Sequence, residues 1–197
     1  MKFISNGMLK MAINTTIMLS IASSGLAFAG NGNTNGFSIN SDSFRQGKKL
    51  SSAQVFNGFG CQGTNLSPAI YWQGAPAGTK SFAVTLYDPD APTGSGFWHW
   101  MVVNIPSNIN HLPIDAGKVD GHNLPAGASH IRNDYGMLGF GGACPPAGDN
   151  PHRYQLTIHA LDTAKIDYPE NASPALVGFL INQHRLASTT TTAHYMR

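Results

Sequence analysis

The chain has 197 residues, enough for one ordinary domain with a sizeable core. Only 11% of them are charged, and 22 glycines and 12 prolines favour a fold of strands and turns. Lys2 and Lys10 lie in a segment expected to be removed, so 12 basic residues become 10 against 10 acidic ones; with no basic stripe, nucleic-acid binding is excluded.

Residues 1–29 have the pattern of a secretory signal peptide. Lys2 and Lys10 make a positive n-region, Met11 to Leu26 is uncharged and mostly apolar, and Ala27-Phe28-Ala29 offers small residues to a signal peptidase. Asn14, Thr15, Thr16, Ser20, Ser23 and Ser24 make the segment too short and too polar to span a membrane well. Cleavage after Ala29 is expected, leaving a periplasmic or secreted protein with no transmembrane anchor. No cysteine follows the small residues, so a lipid anchor is not expected.

Gly30 to Gly36 is low-complexity and reads as a flexible lead-in, with one domain over 37–197. Phe37-Ser38-Ile39 begins a first strand, and Ala69-Ile70-Tyr71-Trp72 is a short second one. Ser81 to Tyr87 has the apolar and β-branched content of a strand. Asp88-Pro89-Asp90-Ala91-Pro92 then ends it, because neither proline has an N–H for a ladder. His99 to Ile105 reads as the next strand, ended by Pro106. An acidic, proline-stiffened loop between two strands brings Asp88, Asp90 and His99 to one rim of a sheet, a candidate ligand site. Strict alternation puts Trp98 and Trp100 on the face opposite His99, as core or wall packing.

Gly117 to Asn150 is mostly loop, and a stretch of that length in a compact domain usually carries function. It contains Gly141-Gly142-Ala143-Cys144-Pro145-Pro146 and is followed by His152-Arg153-Tyr154. Tyr154 to Asp162 alternates as a half-buried strand. If His152 and Tyr154 share a pocket face, Arg153 faces away into a structural ion pair. Near the end, Ser173 caps a helix with Pro174 in its first turn and Leu176, Val177, Leu180 and Ile181 at helical spacing. A last strand runs through Thr189 to Tyr195. His111, His122, His130, His159, His184 and His194 follow no pattern and read mostly as surface residues.

Cys61 and Cys144 are the only cysteines. In an oxidising compartment an isolated pair is expected to be bridged, the alternative being two small buried thiols.

The two motifs carry a resemblance. Asp88-Pro89-Asp90-Ala91-Pro92 with Trp98-His99-Trp100, and Gly141 to Pro146 with His152-Arg153-Tyr154, resemble the phosphatidylethanolamine-binding protein family in its bacterial Raf-kinase-inhibitor-like branch, exported periplasmic type. The resemblance implies a mainly β fold, a Greek-key antiparallel β-sandwich with a few peripheral helices. It also implies a small anion-binding pocket at one end, lined by Asp88, Asp90, His99, His152 and Tyr154, with Gly142, Cys144 and Pro145 of the second motif.

The residues suit an oxyanion. A glycine turn at Gly141 and Gly142 brings backbone N–H groups close, Tyr154 offers a hydroxyl, and His99 and His152 offer N–H donors that gain charge in mild acid. Asp88 and Asp90 either cap a turn, accept from His99 and fix its tautomer, or meet a cationic part of a zwitterion such as phosphoethanolamine. The expected function is non-enzymatic binding of a small anionic ligand, without metal or cofactor. The alternative is an interaction module that inhibits a protease or kinase outside the cytoplasm, through an extracytoplasmic or host partner; a homodimer stays open. A metal-dependent hydrolase using Asp88, Asp90, His99 and His152 ranks below both, because neither Gly-x-Ser-x-Gly nor His-Glu-x-x-His is present.

Overall fold

The computed structural model describes residues 36–197. The signal peptide over 1–29, and all of the 30–36 lead-in but Gly36, lie outside the described residues. Within them the elements are β1 (Ser38–Asn40), β2 (Ile70–Gln73), β3 (Ser81–Asp88), β4 (Phe97–Pro106), β5 (His111–Leu112), β6 (Ser129–His130), β7 (His152–Leu161), α1 (Pro174–His184) and β8 (Arg185–Tyr195). A short 3-10 turn, Ser52–Gln54, precedes β2. The strands form two antiparallel sheets, one ordered β1-β2-β5 and the other β6-β4-β3-β7-β8. The fold is mainly β, as expected, with a single α-helix among the described residues where the resemblance implies a few.

Strand β3 is central, which accounts for its nearly unbroken apolar run. Phe82, Val84 and Leu86 face inward with Trp100 and Val102 of β4 and Tyr154, Leu156 and Ile158 of β7. They meet Ile70, Trp72 and Leu112 of the smaller sheet in one core. Ala83, Met101, Val103 and Leu161 face outward and pack under Val177 and Ile181 of α1. Each large side chain so buried is stabilised by about 1.5–3 kcal/mol, which fixes the strand faces. The Ser173 hydroxyl accepts from the Leu176 amide at 3.2 Å and caps α1 as expected. Arg185 is already extended, so β8 starts directly from the helix and earlier than Thr189. No described helix is long and apolar enough to cross a membrane.

Strand β4 departs from strict alternation at the motif. Leu86 pairs with Trp100 and Tyr87 with Trp98, so His99 is the extra residue of a β-bulge. A bulge rotates the strand by one position. Trp100 therefore enters the inner core, while Trp98 packs with the outer cluster beside α1. The two tryptophans lie on opposite faces, not on the shared face that alternation predicts. His99 is turned toward β7, its ring edge-on to Tyr154 with centroids 5.2 Å apart.

Two further features differ from or bear out the sequence reading. His159 is not a surface residue: it is buried on the outer face of β7, 3.0 Å from Thr85 Oγ1. Burial, then the Arg185 charge, pushes its pKa down to about 3. Cys61 and Cys144 are disulfide-bonded, with Cα atoms 5.9 Å apart and a sequence separation of 83.

Candidate functional site

Antiparallel pairing puts the end of β3 beside the starts of β4 and β7, so the two motifs meet at one rim of the large sheet. A cavity of about 300 Å³ opens there. Asp88, His99, His152 and Tyr154 line its strand side, and Phe59, Asp134, Tyr135, Cys144, Pro145 and Pro146 its loop side. Phe97 also lines it, its ring 4.7 Å from that of Tyr135. No lysine or arginine is among the lining residues.

The polar groups are tied down in a definite pattern. His152 Nδ1 donates to Asp88 Oδ2 at 2.8 Å, and Asp88 Oδ1 accepts from the Asp90 amide at 2.8 Å. Both side chains of the pair are nearly fully buried. His99 Nδ1 lies 2.8 Å from the Gly141 carbonyl and 3.2 Å from that of Gly142. Carbonyl oxygens only accept, so Nδ1 carries the proton. Burial pulls the His99 pKa below its ordinary value; the bonds to Gly141 and Gly142 and the charges of Asp88 and Asp134 oppose this. Its Nε2 is a lone pair. The Tyr154 hydroxyl is buried and, among the described residues, has no partner in full hydrogen-bond geometry, with Asp88 beside it as a weak acceptor. Burial and the neighbouring Asp88 charge raise its pKa, so it stays a proton donor. Tyr135 is raised for the same reasons and donates to the Gly142 carbonyl at 3.0 Å.

A model of the family described as phosphatidylethanolamine-binding protein matches residues 40–196. The chain belongs to that family. It is 55% identical over 159 residues to the UPF0098 protein YbcL of Escherichia coli K12, covering 81% of this chain and 87% of that protein. With YbhB of the same organism the identity is 50%, over 79% of this chain and 97% of the relative. The crystal structure of E. coli YbcL, described as a new member of the mammalian PEBP family, superposes with a TM-score of 0.80 at 54% identity, over 82% of this chain and 98% of that one. A PEBP homologue from Chlamydia trachomatis shares the fold at a TM-score of 0.68 and 24% identity, covering 83% of this chain and 99% of that one.

Of the site residues that the resemblance to the PEBP family suggests, Asp88, His99, Cys144, Pro145, His152 and Tyr154 line the cavity. Asp90 does not. Its carboxylate is held by Arg153, Oδ2 accepting from the Arg153 backbone amide at 2.8 Å and from Nε at 2.9 Å, and Oδ1 from Nη2 at 2.6 Å. Arg153 alternates with His152 and Tyr154 and so points away from the cavity, as expected. Gly142 does not line the cavity either. Its amide donates to Asn65 Oδ1 at 2.7 Å, and the Gly141 amide donates to the His99 carbonyl at 2.8 Å. Neither is free for an oxyanion. A Cβ on Gly142 would stand 2.5 Å from the Gln54 carbonyl oxygen, so glycine serves the close approach of two segments bridged at Val55 and Ala143. Nor do the aspartates fix the His99 tautomer: carbonyls do, and Asp88 serves His152. Phe59, Phe97, Asp134 and Tyr135 were not expected; the last two lie in the long loop whose length alone signals function.

Proposed function

We propose that this member of the PEBP family is a non-enzymatic binding protein that works outside the cytoplasm and takes a small phosphate-type headgroup, such as phosphoethanolamine, in the rim cavity. Tyr154 carries this reading: a buried hydroxyl with only a weak approach to Asp88 is costly unless a ligand atom completes it. The cavity beside it is lined by Asp88, His99 and His152 and walled by apolar side chains, the usual composition of a small-molecule site. Asp134, with Phe59, Phe97 and Tyr135 around the same cavity, suits a ligand that also carries an ammonium group. The histidine nitrogens that contact protein groups are committed to carbonyls, to Asp88 and, at 3.4 Å, to Asp149, which supports binding over acid–base turnover. The leader pattern over residues 1–29 and the Cys61–Cys144 bridge support export.

Titration calorimetry with phosphoethanolamine and inorganic phosphate near pH 6 tests the ligand class. Binding that weakens by about 1 kcal/mol, roughly fivefold, in Tyr154→Phe is expected. No heat with either compound at millimolar concentration would overturn the proposal. N-terminal sequencing of exported material should read from Gly30, and an intact Met1 would overturn the export part.

A further inference from the structure

A second cavity lies on the other side of β4. The bulge that turns His99 into the rim cavity leaves Trp98 on the outer face, where a groove of about 460 Å³ runs between the large sheet and α1. Aromatic rings dominate it. Trp98 and Tyr87 stand with ring centroids 4.5 Å apart, and Phe179, 57% exposed, lines the groove from α1. The polar groups beside these rings are the neutral hydroxyls and amide of Thr85, Ser95, Ser173 and Asn182. His159 also lines the groove, neutral with its pKa of about 3; Arg185, whose charge helps depress it, does not. Asp134 is the one charged lining group, and its Oδ2 already accepts from the Trp98 amide at 2.7 Å.

Two details keep the groove open and give it a donor. Gly178 sits inside α1, where glycine costs stability relative to alanine. A Cβ there would lie 3.8 Å from the Trp98 ring, an ordinary contact, so packing does not require the glycine. What it leaves is free space over the indole. Deeper in, His159 Nε2 lies 3.0 Å from Thr85 Oγ1, while Nδ1 is buried with no partner among the described residues. Orphaned buried N–H groups are rarer than orphaned acceptors, so the proton is on Nε2 and donates to Thr85. The Thr85 hydroxyl hydrogen is then left for an acceptor in the groove.

We propose that this groove binds a neutral pyranose, a sugar ring with equatorial hydroxyls laid against Trp98. Such a ring has an apolar face of axial C–H bonds that packs on an indole, and an edge of hydroxyls that both donate and accept. Thr85 donates to that edge, and Ser95, Ser173 and Asn182 stand around it to do both. An anion would meet Asp134 with no lysine or arginine lining the groove, and a wholly apolar ligand would leave the polar groups unpaired. The volume is that of a small-molecule site.

NMR titration of the mature protein tests this, with methyl β-glucoside as the single ring and cellobiose as the same ring carried on a chain. The Trp98 indole and Asn182 side-chain signals should shift and saturate, with a Kd on the order of 10 mM or tighter. Tighter binding of cellobiose would mark a glycan end as the source, and equal binding a free sugar. Gly178→Ala should raise the thermal midpoint and still bind. Gly178→Leu keeps a good helix former in α1 but fills the space over Trp98, so it should bind at least about tenfold more weakly. Asn182→Ala, on an exposed helix position, should weaken binding by roughly fivefold with unchanged stability. No shift of Trp98 with either sugar at about 100 mM would overturn the proposal. So would unchanged affinity in both Gly178→Leu and Asn182→Ala, or shifts confined to His99 and Tyr154. Cyclohexanol binding as tightly as methyl β-glucoside would overturn it too, because the groove would then be an apolar slot.

Discussion

The two walls of the cavity are built by different means. On one side Asp88, His99, His152 and Tyr154 stand on three neighbouring strands whose ladders hold them. On the other, Phe59 belongs to a glycine-rich loop in which the single backbone bond from Asn57 to Gln62 runs from the Cys61 amide to the Gly58 carbonyl. That loop is fastened to the opposite segment by the Cys61–Cys144 bridge and by ring contacts of Phe59 with Phe56 and Tyr135. Phe59 is 76% exposed and has a left-handed backbone (φ 53°), which a side chain of its size rarely adopts without an external constraint. Asp88, Tyr154 and the two histidines thus stand on the laddered side, and most of the apolar enclosure, with Asp134 and Tyr135, on the fastened side.

Removing the fastening gives the largest effect. In the double variant Cys61→Ser/Cys144→Ser, the closed loop of more than 80 residues loses up to about 4–5 kcal/mol in the chain-entropy account. Urea unfolding measures the loss. Hydrogen exchange under native conditions then sharpens the comparison. Amides from Asn57 to Gln62 should lose protection, and those of β3 and β7 should open only with global unfolding. Equal loss in both regions would show that the strand wall depends on the bridge.

Acid acts on the strand side instead. His159 lies on the outer face of the same β7 that carries His152 and Tyr154, and its folded pKa of about 3 is below its unfolded value near 6.5. The unfolded chain therefore binds the proton first as pH falls. Stability is unaffected above about pH 6.5, declines below it, and stops declining from this source near pH 3. The slope reaches at most about 1.4 kcal/mol per pH unit, so a loss on the order of 2 kcal/mol is expected between pH 7 and pH 4.5. His159→Gln, which can keep a partner for Thr85 Oγ1, should flatten the profile in denaturant unfolding. An unchanged slope would place the acid sensitivity elsewhere.

Where the two walls meet, Gly142→Ala should destabilise by about 1–3 kcal/mol, the usual range for forcing atoms into a packed region. The new Cβ would lie within 2.7 Å of three backbone atoms of Gln54, Val55 and Phe56. Thermal unfolding gives the size. A Tyr135 ring shift without a His99 shift in the NMR spectrum would show that the strain is taken up by the loop wall.

The division between the walls also separates what the sequence reveals from what it hides. Strands β3 and β7 are readable because burial imposes apolar content and alternation on them, and α1 because Ser173 and Pro174 mark its start. Strand pattern alone places Asp88 and His99 at one rim; His152 and Tyr154 join them through the family resemblance, and the β3–β7 pairing shows why they meet. The bulge at His99 could not be named in advance, because it depends on which residue of β3 each residue of β4 faces. The roles of Asp90 and Gly142 were hidden for a similar reason: Arg153 and Asn65 lie 63 and 77 residues away in sequence. Phe59 and Tyr135 sit in segments without periodicity, where only tertiary contacts decide what faces a cavity. Strands β5 and β6 are two residues each, too short for any pattern to register.

The smallest effect separates Asp90 from Asp88, two residues apart in one motif. Arg153 holds the Asp90 pKa down to about 2 from an ordinary 3.8, chiefly through its side-chain hydrogen bonds. Asp90 is partly exposed and Arg153 largely so, which limits the pair to about 1 kcal/mol or less. That contribution is fully present above about pH 4 and fades as pH falls toward 2, because the unfolded carboxylate is protonated first. Asp90→Asn should therefore cost at most about 1 kcal/mol at pH 7 by urea unfolding and nothing at pH 2. Because Asp90 lies outside the cavity, the variant should bind phosphoethanolamine as the native protein does. A tenfold loss of affinity with unchanged stability would instead mean that the Asp90–Arg153 pair positions the end of β3, and with it Asp88, for the ligand.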